Sequence, residues 1–266
     1  MELIEGLLER DGFNLHYWLG GRQDAPLVVF THGATIDHHE WDATLPLVGE
    51  HFRVLAWDMR GHGLSRPGQF SVAAAVQDLL DLLDRLQVQQ AILVGHSLGG
   101  NLHQEMVFQH PERVQALVFV DCTWNFQKLS GMDKLLLQAA KPIFALYPYK
   151  TLVEQSVKVS AGLQSSQEVL RAGMNQLTKD EFVHIMMTMT ACLHEEPGYR
   201  IHKPILMLMG DHESTGNIRT VMPAWAKLEP DCRFVLIPNA WHAANLDNPQ
   251  VFHQHLLAFL QEQGQP

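Results

Sequence analysis

Cysteine is scarce: the 266 residues hold three, Cys122, Cys192 and Cys232, far apart and odd in number. That excludes a disulfide framework and a paired zinc-ligand pattern, and it points to a reducing, cytoplasmic setting. Long apolar runs are missing too, and none approaches the roughly 20 residues of a membrane span. Met1 to Arg10 carry charges throughout, with no basic stretch leading into an apolar core, so a secretory signal is not expected. Basic residues are outnumbered, 19 Lys and Arg against 29 Asp and Glu, for a formal net charge of -10. An acidic surface of this kind suits neither nucleic acid nor an anionic membrane. The chain also lacks repeats, linkers and low-complexity tracts, and no seam for self-association can be read in it.

What is present is a soluble composition, 46% hydrophobic and 18% charged, in a regular alternation. Leu3 to Leu8 and Phe13 to Trp18 flank Asp11-Gly12, a hairpin signal. Pro26 to Thr31, Phe52 to Asp58, Ala91 to Gly95, Val114 to Val120, Pro204 to Gly210 and Arg233 to Ile237 read as strands, the first of them as one buried on both faces. Between them lie helical patterns: Leu45 to Glu50, Val72 to Leu86, Asn101 to His110, Ile218 to Leu228 and Pro249 to Gln261. In Val72 to Leu86, Val76, Leu79, Leu80, Leu83 and Leu86 share one side, and Asp78, Asp81 and Arg85 are expected mostly on the other. Strands alternating with helices predict an α/β fold: a mostly parallel central sheet flanked by helices, with its site at the carboxyl ends of the strands.

The alternation stops at Cys122. From there to about Tyr199 the expected elements are helices, Met132 to Leu146, Gln167 to Leu177 and Asp180 to Leu193, with Met174, Met186, Met187 and Met189 among them. Methionine suits an adaptable apolar pocket. The expectation is one core, residues 1–122 and 199–266, interrupted by a helical cap over 123–198.

The chemistry centres on Gly95-His96-Ser97-Leu98-Gly99, a G-x-S-x-G pattern between a strand and a helix. So tight a turn has no room for side chains beside the serine, whose hydroxyl then projects clear of the sheet. It also sets the amide of Leu98 at a helix N-terminus, where it can stabilise an oxyanion. Serine needs a base and the base needs an orienting group. Among 16 histidines, His242 stands in a loop after the last strand, on the edge where the serine turn opens. His96, within the turn itself, is expected to be structural.

Four further landmarks accompany that pentapeptide: His32-Gly33 after a strand, Asp58-x-Arg60-Gly61-x-Gly63-x-Ser65, a strand ending at Gly210 with acids after it, and the late histidine. In this order they resemble the α/β-hydrolase family over most of the chain. The resemblance implies Ser97 as nucleophile, His242 as base, and the amides of Ala34 and Leu98 as the oxyanion hole. The family position for the acid falls on Glu213, with Asp121 and Asp211 as alternatives. Relatives that open epoxides or remove halogens carry aspartate at the nucleophile position, so Ser97 argues against both activities. Asp58, Arg60 and Ser65 are expected to stabilise their own turn.

The pocket is expected to include His32, His38, Trp124 and Met186, with His38, His39 and Trp41 either at its mouth or facing solvent. Although His32, Asp37, His38 and His39 crowd one segment, their spacing lacks a His-x-His arrangement, and no metal is expected. The implied activity is hydrolysis of an ester-like carbonyl, a carboxylic ester or lactone with an apolar part, through an acyl-serine and without a cofactor. Its partner would be a small-molecule substrate. Two alternatives remain open: acyl transfer, perhydrolysis or carbon-carbon cleavage on the same triad, and a non-catalytic ligand-binding receptor of the same fold.

Overall fold

A computed structural model describes residues 1–264. The first strands, β1 (Ile4–Arg10) and β2 (Phe13–Gly21), form the hairpin that Asp11-Gly12 signals. Then come β3 (Leu27–Thr31), α1 (Leu45–Gly49), β4 (Arg53–Trp57), α2 (Val72–Arg85), β5 (Ala91–His96), α3 (Leu98–Gln109) and β6 (Val114–Val120). Four helices follow without a strand: α4 (Gly131–Leu146), α5 (Tyr149–Ser160), α6 (Gln164–Met174) and α7 (Lys179–Thr188). The chain closes with β7 (Ile205–Gly210), α8 (Ile218–Ala226), β8 (Cys232–Ile237), α9 (Ala244–Asp247) and α10 (Pro249–Gln263).

The eight strands lie in the order β1-β2-β4-β3-β5-β6-β7-β8. The β1/β2 and β2/β4 pairs are antiparallel, and β3 onward is parallel. From β3 the chain moves to one side to make β4, then returns to the other side to make β5. Strand order therefore reverses between β3 and β5, and the crevice beyond their carboxyl ends is where such sheets bind ligands.

Every residue of β3 and β5 is buried. Val28, Phe30, Ile92 and Val94 meet Phe252, Leu256 and Phe259 of α10 on one face, while Val29 and Leu93 join the core containing α2 and α3 on the other. This double burial explains why the strands read as continuous apolar runs.

Two elements depart from the sequence reading. Asp78 is buried in α2, 1% exposed, where it pairs with Arg10 at 2.7 Å and Arg60 at 2.6 Å. Two arginines distant in sequence create that site, so helical periodicity alone cannot reveal it. Helix α5 was not among the expected elements; Leu152, Val153 and Val157 form its buried side. Among the described residues, no helix is long and apolar enough to cross a membrane.

Candidate active site

Ser97 joins β5 to α3 with φ 49° and ψ -115°, a left-handed conformation that a non-glycine residue adopts only under local constraint. The neighbouring glycines show why the turn closes. A Cβ on Gly95 would lie 2.5 Å from the main chain of Gly99, and one on Gly99 would lie 2.3 Å from the carbonyl oxygen of Thr31. The Ser97 amide donates to Val120 O at 2.9 Å, and its carbonyl accepts from the Asn101 amide at 3.0 Å. Leu98 begins α3, so its amide is among those without an acceptor inside the helix.

His242 lies between β8 and α9. Asp247 braces its loop, accepting from the amides of Trp241, Gly162 and Leu163 and thereby tying it to the α5–α6 connection. Nδ1 of His242 is 2.6 Å from Glu213 Oε2. The other carboxylate oxygen of Glu213 accepts from the Thr215 amide. Burial alone would raise the Glu213 carboxyl, but the adjacent His242 ring and these hydrogen bonds hold it down at about 2.

The two alternative acids lie elsewhere. Asp121 binds the amides of Gly210 at 2.8 Å and Ala244 at 3.3 Å, and its burial, together with the Glu213 charge, raises its carboxyl well above the usual range. Its two carboxyl oxygens staple the end of β7 to the segment after β8. Asp211 contacts His212 at 2.6 Å and the Ala240 amide at 3.2 Å. Of the three carboxylates, Glu213 is the one that reaches the His242 ring.

Ser97 and His242 line one cavity of about 300 Å³ together with Ala34, His96 and Thr215. The rest of its wall is largely apolar: Ile36, Leu170, Met174, Phe182, Met186 and Met189, with Gln155 and Ser156 contributed by α5. The sequence carried a signal for that unexpected helix in Pro148 followed by Tyr149, Leu152, Val153 and Val157 at helical spacing. A separate hollow of about 240 Å³ between α7 and the Gly61 to Phe70 turn has neither a serine nor a cysteine in its described lining.

Of the four expected pocket residues, Met186 lines the cavity and three do not. His32 is fully buried, with Nδ1 donating to Gly33 O at 2.7 Å and Nε2 accepting from the Met59 amide at 3.0 Å. It latches the ends of β3 and β4 together, and burial keeps it neutral. His38 stacks on Trp18 with ring centroids 3.3 Å apart and contacts Asp58 at 2.9 Å. Trp124 stacks on Trp225. Trp41 is buried against Phe30 and Phe252, and His39 is exposed. Asp58 does stabilise its own turn, accepting from the Leu64 amide at 2.7 Å.

Asp37, His38 and His39 bring potential metal-ligating atoms within 4.8 Å of one another. Each already has partners: His38 Nδ1 meets Asp58, His39 Nδ1 meets Asp42 at 2.8 Å, and Asp37 accepts from Gln176 at 2.6 Å. Protein groups thus engage the Nδ1 atom of each ring and the Asp37 carboxylate.

Residues 26–249 match the family described as alpha/beta hydrolase fold. The chain is 25% identical over 252 residues to 2-(acetamidomethylene)succinate hydrolase of Mesorhizobium japonicum, covering 88% of each. It is 29% identical over 266 residues to the sn-1-specific diacylglycerol lipase ABHD11 of Mus musculus, covering 91% of this chain and 83% of that one. The crystal structure of a hydrolase from Pseudomonas aeruginosa PA01 superposes with a TM-score of 0.82 at 25% identity, over 96% of this chain and 98% of that one. The chain belongs to the α/β-hydrolase fold family.

Proposed function

We propose that this protein is a serine hydrolase that cleaves an ester-like carbonyl, a carboxylic ester or a lactone with an apolar part, through an acyl-Ser97 intermediate. The observation that carries this reading is the shared cavity: Ser97 on its strained turn and His242, backed by Glu213, open onto one apolar-walled space.

Ser97 Oγ attacks the carbonyl carbon as His242 takes its proton, and the carbonyl oxygen becomes an oxyanion facing the amides of Ala34 and Leu98. Ionised Glu213 stabilises the imidazolium so formed. Collapse of the tetrahedral species breaks the bond to the leaving oxygen, which takes the proton from His242. Water then repeats the sequence against the acyl-enzyme and frees the acid. No cofactor enters these steps. Helices α5 to α7 act as the cap, and their methionine and phenylalanine side chains favour an apolar acyl or alcohol portion.

A panel of p-nitrophenyl esters of increasing acyl length, run beside Ser97→Ala, tests the reading. Saturable hydrolysis that falls by roughly 10³-fold or more in the variant supports it. A folded wild type that hydrolyses none of them overturns it.

A further inference from the structure

Behind Ser97 lies a second histidine–carboxylate pair that the steps above do not use. His96 is buried within the serine turn, with Nε2 2.9 Å from the main-chain carbonyl of His242 and Nδ1 2.6 Å from Glu40 Oε1. Glu40 is also buried. Its Oε2 accepts from the Gly33 amide at 3.0 Å, and its Oε1 accepts from the Asn245 side chain at 3.1 Å. One carboxylate thus touches the loop carrying Ala34, the serine turn and the segment just after His242.

Both ring nitrogens of His96 face oxygens that only accept. A neutral imidazole has one N–H and would aim a lone pair at one of them, whereas an imidazolium has two. The Nδ1 contact lies outside hydrogen-bond geometry, so what it offers a charged ring is ion-pair attraction.

We propose that Glu40 and His96 form a charged positioning dyad, carboxylate and imidazolium, that locks the oxyanion loop to the His242 loop on either side of Ser97. The proposal rests on reading Ser97 and His242 as nucleophile and base. Neither dyad member exchanges a proton with substrate; both act through the main chain they hold. Gly33 N–H is fixed by Glu40, which sets the direction of the next amide, that of Ala34. The His242 carbonyl is fixed by His96, which sets the height of the imidazole above the serine.

The charged groups around the dyad are consistent with this assignment. Glu40 from the loop after β3 and Glu213 from the turn after β7 both favour charge on His96, while the His242 ring lies 4.8 Å away, centroid to centroid. His32 faces Glu40 from the end of β3. Burial opposes both charges, yet mutual attraction raises His96 above the ordinary imidazole range and lowers Glu40 below the ordinary carboxyl range.

The test is a ¹⁵N spectrum of histidine-labelled wild type at pH 8, with the His96 signals identified by their loss in His96→Gln. The expected result is protonation of both His96 nitrogens, with one of the two protons lost in Glu40→Gln. In that variant kcat on the best p-nitrophenyl ester is expected to fall roughly tenfold or more while KM stays within about twofold. A singly protonated His96 in wild type, or an unchanged kcat in folded Glu40→Gln, overturns the proposal. If Glu40→Gln does not fold, the wild-type spectrum decides. A wild type that turns over no ester defeats the hydrolase reading instead, and the same spectrum still decides whether the dyad is charged.

Discussion

Nδ1 of His242 lies 2.6 Å from Oε2 of Glu213, with both side chains buried at the junction of two loops. An ionised carboxylate there requires a proton on Nδ1; in the proposed mechanism Nε2 is then the atom that accepts one from Ser97. Glu213→Gln keeps the shape but can stabilise the wrong tautomer. It is expected to lower kcat by on the order of 10³- to 10⁴-fold with little change in KM, as read by steady-state kinetics on an ester.

The same pair makes stability depend on pH. Glu213 is held at about 2, below its ordinary value of 4.5. Its ionised form therefore contributes stability that is complete above about pH 4.5 and is lost as pH falls toward 2. In urea unfolding, Glu213→Gln is expected to trail wild type by on the order of 3 kcal/mol at pH 7, with the gap closing as pH approaches 2. A gap that stays constant with pH contradicts this.

Gly99 packs against the end of β3. Its added Cβ would sit 2.3 Å from Thr31 O and 2.8 Å from His32 O, both main-chain atoms that cannot swing aside. Gly99→Ala is expected to destabilise the protein by about 1–3 kcal/mol in urea unfolding and to displace the serine turn, lowering kcat as well.

Asp78, which is not among the residues lining the cavity, separates stability from activity. Asp78→Ala leaves Arg10 and Arg60 without their shared carboxylate. The expected loss is about 3 kcal/mol or more, seen as a lower denaturation midpoint. Under conditions where the variant is folded, its KM for esters is expected to match wild type.

Much of the fold was legible because its cues are local. Pro26 to Thr31 and Ala91 to Gly95 read as strands because both faces of each are buried, and the serine turn announced itself because glycine is required on either side of Ser97. The acid was less legible. Choosing among Glu213, Asp121 and Asp211 depends on how the loops after β6, β7 and β8 converge, and spacing along the chain does not encode that convergence. His32, His38 and Trp124 were misplaced for a related reason. Each satisfies its polar or aromatic surface with a partner distant in sequence, Met59, Asp58 and Trp225 respectively. Asp78 follows the same rule, and so does the contact between His96 and Glu40, whose partners lie 56 positions apart in the chain.

The acyl-serine claim is tested most directly by the intact mass of the protein after exposure to an alkyl fluorophosphonate, followed by peptide mapping. A single added phosphonyl group is expected on Ser97, formed in wild type, slowed severely in His242→Ala and absent in Ser97→Ala. An unmodified wild type, or a modification that persists in Ser97→Ala, would contradict it.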